Sequence, residues 1–284
     1  MGAPAIAGVA LPAEVQWMDR ATPRAAFRLS AVIAALMAIA SASGLFLHPY
    51  RDAPWIRSAW FGNDLVTLLV AVPLLVWALS AVRRGSRAGQ LVRWAMLGYS
   101  VYNYAFYLFG AKLNALFPLY VALFVLPAFA LILSLGTADL REIASGFAGK
   151  TPVRLVSGYM LFTGLGLGVA WLGQWAAFVF AGTVPSIGED AFSLVAALDL
   201  SFMVPLFLLG GVLLWRRAPW GYVLGAIMTV KGATYTLVLT VSSLAGARSG
   251  VVGAAAQIPV WAAWTLLGAA AAALLFRGLR AYTR

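Results

Sequence analysis

Eight stretches of this chain are each long enough to cross a lipid bilayer and are almost free of charge. They run approximately over 25–47, 64–82, 92–111, 114–136, 155–181, 191–214, 219–243 and 251–276. A helix rises about 1.5 Å per residue, so about 20 residues cross roughly 30 Å of hydrocarbon. Runs of this length are too long for barrel strands, and a backbone in lipid must satisfy its own hydrogen bonds. The expected fold is therefore an all-α, polytopic integral membrane bundle of about eight transmembrane helices. Composition agrees: 63% of the 284 residues are hydrophobic and 10% are charged, against about 25% charged in soluble domains. A water-soluble chain of this make-up would lack the polar surface to cover itself.

The formal net charge of +11 raises the question of a nucleic-acid partner. The distribution answers it, because the basic residues lie between the apolar runs, and no nucleic acid is expected. With eight spans both termini share one side. Of the 20 Lys and Arg, Arg51, Arg57, Lys112 and Arg248 fall on the other side and Lys231 falls inside a span, which leaves 15 with the termini. The positive-inside rule makes that side cytoplasmic. The chain then divides into an N-terminal cytoplasmic tail (1–24), a first four-helix half (25–136), a cytoplasmic linker (137–154), a second half (155–276) and a basic tail (277–284). Usage rich in Ala, Arg and Leu and poor in Lys resembles that of high-GC bacteria, so the expected location is the inner (plasma) membrane. Residues 2–13 are apolar but short and broken by Pro4 and Pro12, so the first span is expected to act as an uncleaved insertion signal. The absence of cysteine excludes disulfides, iron–sulfur clusters and thiol catalysis, and with His48 as the single histidine neither a metal nor another cofactor is expected,.

The two halves resemble each other. Val72-Pro73-Leu74-Leu75 precedes Arg83-Arg84, and Val204-Pro205-Leu206-Phe207 precedes Arg216-Arg217. Each even-numbered span carries an interior proline: Pro73, Pro127, Pro205 and Pro259. A four-plus-four arrangement makes a parallel repeat about an axis normal to the membrane. Chance likeness between apolar segments is the competing explanation.

Polar residues inside the spans mark the candidate site. Lys231 stands alone as a charge in an apolar run, where an ammonium costs about 2.5–3.5 kcal/mol at bilayer depth. Counting residues places Asp199 of the sixth span at a similar depth, and the short turn between the sixth and seventh spans makes them antiparallel neighbours. A buried Asp199–Lys231 ion pair follows, either locking two helices or serving a ligand. Asn103 lies near the same depth, and Gln174 and Gln257 lie further out. Tyr99, Tyr102, Asn103, Phe106 and Tyr107 recur at helical spacing and share a face of the third span. Such a face lines a cavity or fills the contact with the seventh span, where Tyr235 follows Lys231 by one turn. The polar groups run from mid-depth outward, over an inner half that reads as nearly pure hydrocarbon. Asp64, His48 and Arg51 form a candidate outer rim, in a segment 48–64 read as an external loop with interfacial Trp55 and Trp60. Gly164 and Gly168 read as small residues for close helix contact. A lysine buried in the seventh span beside an acid is similar to the Schiff-base arrangement of retinal proteins, but the eighth span and Ile227, one turn before the lysine, depart from it.

These observations support a small-molecule or lipid-like solute transporter or permease with an outward-facing polar cleft. Its partners are the lipid bilayer and a small hydrophobic or amphiphilic ligand; the sequence does not fix an oligomeric state. A non-catalytic membrane binding, sensory or assembly subunit is the alternative. A lipid-acting intramembrane enzyme is weaker, because no nucleophile set, paired carboxylates or metal cluster accompanies it and catalysis is not expected.

Overall fold

A computed structural model of the chain describes residues 23–147, 149, 151–185 and 187–279. Most of the expected N-terminal tail, Lys150, and Arg280 and Arg284 of the basic tail lie outside the described residues. Among those residues no strand forms. Helices account for most of the described residues, and Phe147 makes a single isolated bridge to Leu279.

Eight long helices follow one another: α1 (Arg24–Leu47), α2 (Pro54–Arg83), α3 (Arg87–Gly110), α4 (Phe117–Thr137), α5 (Val153–Ala181), α6 (Glu189–Trp215), α7 (Pro219–Arg248) and α8 (Ala254–Arg277). A six-residue helix, Leu140–Ser145, lies between α4 and α5, and the Asp139 side chain caps its first turn by accepting from the Arg141 and Glu142 amides,. All the long helices except α3 are long and apolar enough to cross a membrane, seven in number. In α3 the tyrosines, Asn103 and Arg93 lower the hydropathy. That helix is also the most enclosed, with nearly every residue from Gly89 to Tyr107 buried. Its polar groups therefore meet protein rather than the surroundings of the bundle.

Helix boundaries match the sequence reading with one large exception. α2 begins at Pro54 rather than near 64, so most of the expected external loop is helix. Pro54 occupies the first turn, where its missing N–H is not needed. Arg57, Asn63 and Asp64 dilute the hydropathy of a helical segment whose inner face, from Ser58 to Val66, is nevertheless buried. A second correction concerns Arg93, expected with the cytoplasmic charges. It is fully buried inside the bundle, with Nη1 donating to the Ala26 carbonyl at 3.3 Å and to Ser30 Oγ at 3.0 Å. The half of the bundle expected to be hydrocarbon thus contains a guanidinium tied to α1.

The prolines shape the helices locally. Proline lacks an N–H and crowds the carbonyl four residues earlier. Just before Val72-Pro73 and Val204-Pro205 the helix widens into five-residue π segments, Thr67–Ala71 and Asp199–Met203. In them the Val72 amide reaches back to the Thr67 carbonyl and the Val204 amide to the Asp199 carbonyl. Pro127 is accommodated differently. The carbonyl it leaves unused, that of Leu123, accepts from Ser100 Oγ on α3 at 3.0 Å, which fastens α4 to α3.

We call the end of the bundle with the 48–53, 111–116, 182–188 and 249–253 connections the upper end, and the opposite end the lower. In the first half α1 packs on α2 and α4, and α3 packs on α2 and α4; in the second half α5 contacts α6 and α8, and α7 contacts α6 and α8. The halves meet through α3 against α7, the upper part of α2 against α7, and the upper part of α6 against α3. Gly62 of α2 comes so close to α7 that an added Cβ would lie 2.6 Å from the Ser242 amide nitrogen.

Candidate functional site

A half-open cavity of about 1040 Å³ occupies the upper part of the second half, between α2, α3, α5, α6, α7 and α8. Its innermost charged residues are Asp199 and Lys231, and Tyr159 and Thr163 of α5 line it more deeply still. Asp199 opens the π segment of α6, and Met203, one wide turn later, lines the cavity with it. Lys231 sits near the middle of α7 and is 2% exposed.

The expected direct ion pair between these residues is not formed. Tyr102 of α3 stands between them. The Lys231 ammonium lies over the Tyr102 ring, 3.3 Å from its centroid, and 5.3 Å from that of Tyr235. Its hydrogen-bond partner is Met203 Sδ, a weak acceptor. Asp199 accepts from the Tyr102 hydroxyl through one oxygen, and from Trp171 Nε1 at 2.8 Å through the other. Tyr102 therefore presents its π face to the cation and its hydroxyl to the anion. Phe106 and Tyr235 complete this wall, with Tyr102 and Tyr235 edge to face at 4.9 Å and Phe106 stacked on Tyr235 at 5.9 Å.

The structure divides the other expected site residues. Tyr235 and Gln257 line the cavity, the latter exposed near the upper end and accepting from Trp261 Nε1 at 3.2 Å. Tyr99 does not line it; its hydroxyl is 2.7 Å from Thr67 Oγ1 in the core of the first half. Asn103 does not line it either. It is completely buried and neither amide atom has a hydrogen-bond partner. Gln174 continues the stripe of Ala170 and Trp171 one turn further up α5 but does not line the cavity; its Nε2 lies 3.5 Å from the Ala170 carbonyl. Asp64 is not a rim residue but lies well inside α2. It accepts from Tyr50 Oη at 2.6 Å and Tyr107 Oη at 2.9 Å, against Gly44 of α1. His48 and Arg51 are exposed at the upper connection and do not line the cavity.

Sequence reasoning missed Trp171 and Met203, which take up the charges of Asp199 and Lys231. It also missed Phe162, Trp261 and Trp264, which shape the cavity. Phe162 and Trp264 meet edge to face at 5.8 Å across the α5–α8 boundary. Above that contact, Gly166 and Ala170 of α5 and Gln257 and Val260 of α8 both line the cavity and are exposed. The cavity therefore opens sideways between the upper parts of α5 and α8. At its upper end it is bordered by Glu189 and Asp190, in the first turn of α6.

No known family model matches this chain, and neither a curated protein nor a solved structure is measurably similar to it.

Proposed function

We propose that the protein is an eight-span membrane carrier of a small hydrophobic or amphiphilic molecule, built from two related four-helix units. The largely apolar cavity with the Asp199–Tyr102–Lys231 group in its wall is the observation that carries this reading. Ligand sites are concave, mostly apolar and furnished with a few placed polar groups, and this cavity has that make-up.

The duplication is supported by a constant separation of 132 residues. It relates the two π segments, Thr67–Ala71 and Asp199–Met203, and also Pro127 and Pro259. It relates the positive-φ residues Gly85 and Arg217 in the lower turns, and the close glycines Gly89 and Gly221. It also relates two contacts reciprocally: Gly62 meets Ser242, and Gly110 meets Leu194. A twofold axis along the bundle produces such a crossing. Under it Thr67 corresponds to Asp199, and Tyr99 to Lys231. In the first half these positions hydrogen-bond to each other directly. In the second they carry opposite charges, and Tyr102 comes between them beside the cavity. One half is thus closed and the other binds, giving one ligand per chain. With eight spans, the lower end is cytoplasmic in the inner membrane and the cavity faces outward.

The test uses N-phenyl-1-naphthylamine, a neutral lipophilic fluorophore. The purified protein is expected to bind one equivalent, and Gly166→Trp, which places bulk in the cavity opening, to weaken that binding about tenfold. Vesicles containing the protein should also pass the probe to acceptor vesicles faster than empty ones. Saturable binding without faster transfer would make the chain a binding subunit rather than a carrier.

A further inference from the structure

We propose that the cavity takes a single-chain apolar amphiphile whose carboxylate is held by the Lys231 ammonium. The inference rests on the reading of the cavity as a ligand site and names its ligand class.

The two charges in the inner wall of the cavity differ in what they have left to offer. Both oxygens of Asp199 already accept hydrogen bonds, from Tyr102 and Trp171. The ammonium has three N–H donors and is met by a thioether sulfur and two ring faces,. A cation taken out of water without an anion in contact is stabilised strongly by any anion that reaches it. The Tyr102 ring separates it from the nearest carboxylate, so the anion has to come from the cavity side.

The walls specify the rest of the ligand. Leu167, Leu239, Phe106, Phe207 and Trp264 line the space around and above the lysine, a surface suited to an alkyl chain, and the lining hydroxyls of Ser58, Thr236 and Ser242 already donate to helix carbonyls. The opening between α5 and α8 is mainly apolar, with Phe162 65% and Val260 55% exposed and Gln257 near its upper end. The polar end carries Glu189 and Asp190, which disfavour a carboxylate arriving from water. The route for such a molecule is sideways, from the hydrocarbon around the bundle.

The experiment compares cis-parinaric acid, a fluorescent eighteen-carbon acid, with its methyl ester and with the primary amine of the same chain. Binding to the full-length protein in lipid nanodiscs is read by fluorescence. A hydrogen-bonded charge pair contributes enough for roughly a tenfold preference, so the acid is expected to bind the native protein at least tenfold more tightly than the ester. Lys231→Met should abolish that preference, with a circular dichroism spectrum and a gel-filtration profile matching those of the native protein as the check that the variant is folded. Lys231→Arg should keep it. Equal binding of acid and ester by the native protein, or tighter binding of the amine, overturns the carboxylate anchor while leaving the cavity as a ligand site. Failure of all three probes overturns both readings.

Discussion

At the scale of single residues, the decisive feature is that Tyr102 serves two charges at once. The sequence made Lys231 and Asp199 visible as charges in apolar runs, and Tyr102 and Tyr235 visible through helical spacing. It did not show that an aromatic ring would come between the charges. Depth along a helix follows from counting residues; which group faces which depends on rotation about the helix axis, set by contacts such as Gly62 on Ser242. For the same reason Asn103 reads as a site residue although it is buried with both amide atoms unpaired. The division of labour in Tyr102 is separable by substitution. Tyr102→Phe removes the hydroxyl donor to Asp199 and keeps the ring under the ammonium. It is expected to cost about 2 kcal/mol, the range for a hydrogen bond to a charged group. Tyr102→Leu also removes the cation–π contact, for about 2 kcal/mol more in a desolvated setting. Thermal unfolding in one detergent compares them, and equal losses would show that the ring contributes nothing to holding Lys231.

At the scale of helices, hydropathy located seven of the eight runs closely, because an apolar stretch between basic turns has well-marked ends. It failed for the upper part of α2, where Arg57, Asn63 and Asp64 interrupt the apolar run. The reason lies in tertiary structure: Asp64 is satisfied by Tyr50 and Tyr107, partners distant in sequence. The π segments were legible only as the prolines that follow them. Glycine also has meanings that hydropathy does not distinguish. At Gly221 an added Cβ would stand 2.3 Å from the Leu214 amide nitrogen and 2.4 Å from the Leu213 carbonyl carbon. Both are backbone atoms of the turn-linked α6, which cannot rotate aside. At Gly166 nothing lies within 4 Å. Gly221→Ala is therefore expected to destabilise by about 1–3 kcal/mol through overpacking. Gly166→Ala should be neutral or stabilising by up to about 1 kcal/mol through helix propensity. A Gly221→Ala protein that melts no lower than Gly166→Ala would show that α6 and α7 are not in close contact there.

At the scale of the whole molecule, the question is whether α3 crosses the bilayer with the other seven helices. Its length of 24 residues is sufficient,; its composition falls short because it is walled by α1, α2, α4, α6 and α7 rather than by lipid. A central helix needs no apolar outer face, so its lower hydropathy does not by itself exclude α3 as a span. The short connections on either side, 84–86 and 111–116, leave α3 antiparallel to both α2 and α4, and the proposed eight spans then require Ser86 and Asn114 to lie on opposite sides of the membrane. The chain has no cysteine, so single cysteines report topology without background. In intact spheroplasts, a membrane-impermeant maleimide is expected to label Asn114→Cys and Ser249→Cys, while Ser86→Cys and Ala218→Cys react only after the membrane is opened. The opposite pattern for all four would invert the orientation and keep the eight spans. Labelling of Ser86→Cys and Asn114→Cys from the same side would mean that α3 does not cross. It would then leave seven spans, with the two halves inserted in opposite senses. An axis normal to the membrane could not relate halves so inserted, and the 132-residue correspondence would lose its geometric meaning.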